Sequence, residues 1–386
     1  MCEEINRADN MDTILYVGGF ELPDKNAAAH RVLSNAKLFG LLGYNTVFIG
    51  INKEEEENLN IFNSKKTING FISYSVPYPK SIEQWIKYIS QIDNYIEVAS
   101  SILRLKAIVC YNFPAIALEK IRRYCRKKSI KCIADVTEWY TGLGRSIPVK
   151  IIKGIDTSLR MRIIQKKVDG LIVISKFLQK YYRRCKNVVY IPPLTDLSDE
   201  KWINTQEKSQ DVLFLTYAGN PGRKDRIDLL IKALGKVNRP YQLDIVGIEK
   251  EEYISMYSDE IFELDKNKNH TVIFHGRLPH LEALEIIKRA NYSCFFRVPD
   301  RVTMAGFPTK FAEAITCGTP VITNRSSNVA DYLKGKNGYL VEDLSCEAIS
   351  RIINAADFTV KTNNRLFDYK EYEADMKIFF SKIWGC

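Results

Sequence analysis

The chain alternates short runs of continuous apolar residues with longer stretches in which apolar residues recur every three or four positions. TILYVGG (Thr13–Gly19) is a run of the first kind and ends in glycines. Ala27–Gly43 is of the second kind, with Val32, Ala36, Phe39 and Leu42 on one helical stripe. Further strands are expected at YNTVFIG, KAIVCYN, KCIADV, VDGLIVIS and NVVYIPP. Between them the spacing predicts a long helix from Ser81, its N-cap, to Leu103, a basic helix around LEKIRRYCRKK, and a short one over KFLQKYY. Strands apolar on both faces and separated by helices predict a parallel sheet covered on both sides.

Thr195–Asp211 is polar and lacks periodicity, which reads as a linker. A second alternating series follows: DVLFLTYAG, RIDLLIKALGKV, YQLDIVG, TVIFHG, PHLEALEIIKRA, YSCFFR, then GYLVED and CEAISRIINAA. Two consecutive doubly wound halves predict an α/β fold of two Rossmann-like domains facing across a cleft, residues 1–200 and 201–367. Ligands would sit at the carboxyl ends of the strands. The last helical segment, within 368–386, is expected to return to the first domain.

Length agrees with two domains, since 386 residues exceed one ordinary core. No apolar run approaches the ~18 residues a spanning helix needs. The polar N-terminus MCEEINRADNMD does not read as a signal peptide, so a cytoplasmic location is expected. Nine cysteines without a CxxC pair read as thiols in a reducing compartment. The four histidines show no metal-ligand spacing, so no metal is expected.

Charge changes the picture more. The net charge is +10, and Gly144–Tyr190 alone accounts for as much, with twelve Lys and Arg against Asp156 and Asp169. Either an anionic surface lies nearby or this is a solvated basic face. No RNP, KH or helix-turn-helix signature accompanies the charge, so nucleic acid is not an expected partner.

GFPTKFAEAITCGTPVI (Gly306–Ile322) concentrates the candidate chemistry. With Pro308 as the first helical residue and Gly318 as the terminating glycine, Thr309, Lys310 and Glu313 share one arc. Phe311, Ala314 and Ile315 share the opposite one. A helix N-terminus with a lysine suits phosphate, and a carboxylate one turn in accepts hydrogen bonds from hydroxyls. A diphosphate on a ribose fits this arc. So does a plain amphipathic helix with an i,i+3 Lys–Glu pair. YAGNPGRKDRIDLLIKAL offers Gly219, Arg223 and Lys224 between a strand and a helix, without Walker spacing. FHGRLPHLEAL places Gly276, Arg277 and Leu278 after another strand, where their backbone groups can edge a nucleobase.

These segments resemble glycosyltransferase family 4, retaining sugar transferases of the two-Rossmann GT-B type. The resemblance covers nearly the whole chain and is strongest from Tyr217 to Asp343. EAITCGTPVI matches the second half of the family's Glu-x7-Glu signature, with Glu313 as the second Glu, which implies a contact to the ribose hydroxyls. Arg223 and Lys224 resemble the basic pair that holds the diphosphate, and Gly276–Leu278 the turn beside the base. VDGLIVISKFL and VVYIPPLTD resemble the segments that lead into the linker, and Gly18–Gly19 the glycine turn facing the cleft. The chain departs from the family at Ala305, where the first Glu usually stands and contacts the donor sugar. It departs again near ADVTEWYTG, where a His is usual. There Asp135 either orients the acceptor hydroxyl or caps the next turn.

The resemblance implies transfer of a sugar from a nucleoside diphosphate sugar, UDP being the commoner base, to an acceptor hydroxyl with retention and without a metal. Arg223, Lys224, Lys310 and the N–H groups near Pro308 and Thr309 would stabilise the departing diphosphate, and domain closure would exclude water. The acceptor would lie in the first domain. The basic, partly apolar stretch Ile147–Lys167 suits an anionic leaflet and thus a lipid-linked saccharide of cell-surface polysaccharide synthesis, with the enzyme peripheral on the inner face of the plasma membrane. The alternatives are a sugar-nucleotide epimerase or phosphorylase on the same fold, or a subunit that binds nucleotide sugar without transferring it.

Overall fold

The computed structural model describes residues 11–54, 60–139, 147–222, 224–257, 270–333 and 336–385, with the backbone alone for 147–150. The chain divides into two compact units, Met1–Leu194 with Tyr369–Cys386, and Thr195–Asp368. Each is an α/β unit of Rossmann type.

The first unit has strands β1 (Thr13–Gly18), β2 (Asn45–Asn52), β3 (Lys66–Ile68), β4 (Phe71–Pro77), β5 (Leu105–Tyr111), β6 (Lys131–Val136), β7 (Gly170–Val173) and β8 (Val188–Tyr190). Their order is β3-β4-β2-β1-β5-β6-β7-β8, parallel except for the edge strand β3. The apolar pattern misses β3 and β4. Their signal is instead Asn69-Gly70, both left-handed (φ 49° and 82°), the two-residue turn whose twist matches a hairpin.

Every residue of β1 and β7 is buried, because helices cover both faces. One face packs on Tyr95, Val98, Leu118 and Ile121. The other packs on the helix Ala27–Leu41 and on the final helix Glu373–Trp384. There Phe380 meets Phe39 and Tyr44, with ring centroids 5.4 and 5.2 Å apart. Gly170 opens β7 under this helix because a Cβ there would stand 2.4 Å from Ile383 Cδ1.

The single helix expected over 81–103 is two, Ile82–Ser90 and Asp93–Ser101. Ser90 Oγ donates back to Ile86 O at 2.6 Å, and Lys120 Nζ takes the Ser90 carbonyl at 2.7 Å. With the Ile86 carbonyl taken by the Ser90 hydroxyl and the Ser90 carbonyl by Lys120, the helical ladder stops at an extended Gln91. Ile92 then turns into the core.

The second unit has β9 (Leu213–Ala218), β10 (Tyr241–Val246), β11 (His270–Phe274), β12 (Tyr292–Phe295), β13 (Val321–Asn324) and β14 (Gly338–Val341). All are parallel, in the order β11-β10-β9-β12-β13-β14. The strand order reverses between β9 and β12, and in the first unit between β1 and β5. Such reversals open crevices at the carboxyl ends of the strands. The polar segment after Thr195 is part of this unit rather than a bare linker. Thr195 N donates to Phe367 O at 2.7 Å, and Trp202 is buried.

Candidate functional site

The carboxyl edge of the second sheet is built on three glycines. Gly219 follows β9, Gly247 follows β10 and Gly276 lies just beyond β11, with φ of 136°, 105° and 62°. Gly219 N donates to Val246 O at 3.0 Å and Gly247 N to Gly276 O at 2.6 Å, so the edge is tied loop to loop. Side chains do not fit. A Cβ on Gly247 would stand 2.4 Å from Gly219 O, and one on Gly219 would stand 3.0 Å from Lys310 Nζ. The result is a low rim at Gly219 and Gly247 that a flat group can approach closely, with the Lys310 ammonium against Gly219 and the Glu249 carboxylate against Gly276.

Lys310 belongs to the helix Thr309–Thr316. Pro308 is its N-cap rather than its first helical residue, with ψ 109° and no side-chain cap, so the first-turn N–H groups keep their anion-binding character. Gly318 follows the C-cap with φ 78°, as a terminating glycine should. Lys310 is not the open cation expected from the helical arc. It is 9% exposed and its Nζ lies 2.5 Å from Asp225 Oδ2 and 3.9 Å from the Tyr217 ring centroid.

Asp225 is the hub of this crevice. It is 2% exposed. Its Oδ1 accepts from Arg297 Nε at 2.5 Å and its Oδ2 from the Tyr217 hydroxyl at 2.8 Å. Asp225 also pairs with Arg297 as an isolated antiparallel bridge. Arg297, just after β12, is held from behind by Asn324, which accepts its N–H and donates to its carbonyl. Burial pushes the Asp225 carboxyl up, but Lys310 and Arg297 outweigh it and hold it below the usual carboxylate range. Burial pulls the Lys310 ammonium down to about 8 against the pull of Asp225. Two cations share one carboxylate, so the group carries one surplus positive charge. It stands where the strand order reverses, beside Gly219.

Glu313 is partly exposed one turn further along, and its carboxylate lies 3.6 Å from His280 Nε2. His280 opens the helix His280–Arg289, two residues after Leu278. The turn beside the expected base and the expected ribose carboxylate are therefore brought together. Arg277 is exposed and lies 3.8 Å from Glu252, while Leu278 is half-buried. Lys224 is exposed in the turn after β9, and Arg223 lies outside the described residues. Ala305 is fully buried at the end of the helix Arg301–Ala305.

In the first unit, Gly18 stands beside Tyr111 at the β1–β5 reversal, where a Cβ would come 2.7 Å from Tyr111 O. A Cβ on Gly19 would meet the Tyr88 hydroxyl at 3.3 Å. Asp135 is not open to an acceptor, which corrects both roles expected for it. It is 0% exposed and bound to Arg31, whose Nη2 lies 2.7 Å from Oδ1 and Nε 2.9 Å from Oδ2. The Tyr16 hydroxyl donates to it at 2.5 Å. Arg31 Nη1 also donates to Ile191 O at 3.1 Å, so the pair braces β1, β6 and the segment after β8. The partly exposed carboxylate at this edge is Glu138, which accepts from Asn112 Nδ2 at 3.2 Å.

Residues 198–365 match the family model described as glycosyl transferases group 1. Among curated proteins none matches the chain. Solved structures are similar over nearly its whole length. Sucrose-phosphate synthase from Thermosynechococcus elongatus has a TM-score of 0.70 at 15% identity, covering 97% of this chain and 99% of that one. A lipopolysaccharide outer core galactosyltransferase has 0.64 at 14%, covering 97% and 99%. Anabaena HepE in complex with UDP and glucose has 0.63 at 12%, covering 96% and 100%. At such identities the likeness carries the fold, which is that of two-Rossmann GT-B type glycosyltransferases.

Proposed function

We propose that the chain is a retaining glycosyltransferase that moves a sugar from a nucleoside diphosphate sugar, a UDP-sugar, to a hydroxyl of a saccharide acceptor. The observation that carries this reading is the surplus cation group of Asp225, Lys310 and Arg297 at the strand reversal, beside the Gly219 turn. The family model over the second unit supports it, as does the UDP and glucose bound in HepE.

In this reading the diphosphate lies over Gly219 and the first turn of Thr309–Thr316, with Arg223 and Lys224 reaching it from the loop. The base sits against Gly276–Leu278 and the ribose hydroxyls donate to Glu313. The bond from the sugar's anomeric carbon to the diphosphate breaks as a bond to the acceptor oxygen forms, and the acceptor hydroxyl's proton passes to the departing diphosphate. The negative charge that gathers on the diphosphate is met by donors already in place. No metal enters the reading. In the first unit Glu138, rather than Asp135, receives the acceptor hydroxyl, beside the Gly18–Gly19 turn. A lipid-linked acceptor for cell-surface polysaccharide, reached from the cytoplasmic face of a membrane, suits the basic stretch, in which eight of the twelve cations are exposed. Arg160 is not one of them: it is buried and donates to Asn112 O. Arg145 lies outside the described residues.

The test is release of UDP from UDP-glucose and UDP-galactose, with and without a membrane lipid-saccharide extract, and the anomeric configuration of the product by NMR. Acceptor-dependent UDP release with retained configuration supports the reading. Sugar conversion without acceptor would point to an epimerase, and dependence on inorganic phosphate to a phosphorylase.

A further inference from the structure

Asn112 stands directly after β5 in left-handed backbone, with φ 41°. A side chain in this region costs free energy, and asparagine bears it better than most residues. The surroundings hold the turn in place. Asn112 N donates to Asp135 O at 2.9 Å, which continues the β5–β6 ladder. Arg160 Nη1 donates to the Asn112 carbonyl at 2.8 Å. Phe113 is buried and packs edge-on against Tyr95, with ring centroids 5.1 Å apart. The Tyr111 carbonyl lies against Gly18, where no Cβ fits. Strain that is over-determined in this way clusters at sites that use it.

Arg160 is buried and opens a π-turn, Arg160–Ile164, into which the helix Ile147–Leu159 runs. Such turns inside helices recur at functional sites. What the strained turn presents is an amide. Asn112 Oδ1 accepts from Thr137 N at 3.1 Å. Its Nδ2 donates to Thr137 Oγ1 at 2.6 Å and to Glu138 Oε1 at 3.2 Å. Thr137 Oγ1 donates in turn to the Tyr111 hydroxyl at 3.2 Å. Glu138 follows β6 outside any helix or strand and is partly exposed. A carboxylate on such a segment samples several rotamers unless a neighbour fixes it. Here the neighbour reaches across from the end of the adjacent strand.

We propose that Asn112 is a positioning residue. Its amide aims the Glu138 carboxylate at the acceptor hydroxyl, and Arg160 locks the Asn112 turn from behind. The proposal rests on the reading in which Glu138 receives that hydroxyl. Asn112 itself touches neither the sugar nor the diphosphate. The residue type matters because only the amide combines an acceptor for Thr137 N with a donor for Glu138. An aspartate would keep the turn and the first contact but set a like charge against Glu138.

Asn112→Asp is therefore the test variant. Release of UDP from UDP-glucose is followed with the membrane lipid-saccharide extract and with water alone as acceptor, beside melting and its shift with UDP. Acceptor-dependent release should fall roughly 10²-fold, as when a reacting group is moved out of line. Hydrolysis by water and the shift with UDP should stay at wild-type values. Adding Glu138→Gln to Asn112→Asp restores the donor–acceptor pair with its direction reversed, and transfer should recover roughly tenfold over Asn112→Asp alone. Full transfer in Asn112→Asp, an equal loss of transfer and hydrolysis, a lost shift with UDP, or a double variant no better than the single would each overturn the proposal. Glu138→Ala separates the two readings. Full transfer in that variant removes Glu138 from the acceptor, and the proposal with it. Slow transfer there beside full transfer in Asn112→Asp leaves Glu138 its role and removes Asn112 alone.

Discussion

Asp135 in the first unit and Asp225 in the second are both buried carboxylates near the carboxyl ends of parallel strands, and both bind arginine. They do opposite things. Asp135 meets one arginine, and the pair is neutral, sealed from water and spent on holding backbone segments together. Asp225 meets an arginine and a lysine, so its group keeps a surplus charge, and it stands at the strand reversal beside the Gly219 turn. Net charge and position, rather than burial, separate a brace from an anion site.

The largest effect expected is on the brace. Removing one partner of a buried ion pair costs about 3–5 kcal/mol. Asp135→Ala or Arg31→Met should therefore lower the melting temperature sharply, and any protein that still folds should bind UDP normally. An Asp135→Asn variant of wild-type stability that has lost only transfer would erase the contrast. Next comes the second unit. Lys224→Ala should leave melting unchanged, since Lys224 is exposed, and slow transfer roughly 10²–10³-fold, as loss of one charge-stabilising donor does. Full turnover in that variant would remove Lys224 from the diphosphate.

Glu313→Ala should weaken UDP roughly ten- to a hundredfold, the range for hydrogen bonds to a charged acceptor, as read by calorimetry. The smallest effect is on pH. Lys310 is protonated below about 8 and neutral above it, so the site loses its surplus charge as pH rises through that value. UDP affinity should fall over the same interval, and Lys310→Arg should flatten the profile. A wild-type affinity that is level across this interval would mean that Lys310 stabilises Asp225 alone.

The sheets were legible from the sequence because strands such as β1 and β7 are largely continuous apolar runs, buried on both faces. The hairpin of β3 and β4 was hidden behind polar residues on its edge strand, although Asn69-Gly70 marks its turn. The break at Gln91 depends on Lys120, a residue of another helix, and local spacing cannot reveal it. The site was half legible. Gly219, Gly276 and Glu313 were placed by the turn and helix pattern around them. Asp225 and Arg297 were missed, although Arg297 gave a signal as a cation closing an apolar strand. Asp135 was misread for the same reason. Its partner Arg31 is 104 residues away, and that of Asp225, Lys310, is 85 away. A carboxylate at a strand end looks alike in sequence whether it is sealed or open.

The most direct test of the central claim is thermal stability of the purified protein with UDP, GDP, TDP, ADP and CMP, alongside Glu313→Ala. A ligand at ~100 times its dissociation constant adds about 2.7 kcal/mol, a readable shift. The account predicts that UDP raises the melting temperature of the wild type and that Glu313→Ala loses most of the gain. No shift with any nucleotide, or a shift that Glu313→Ala leaves intact, would contradict it.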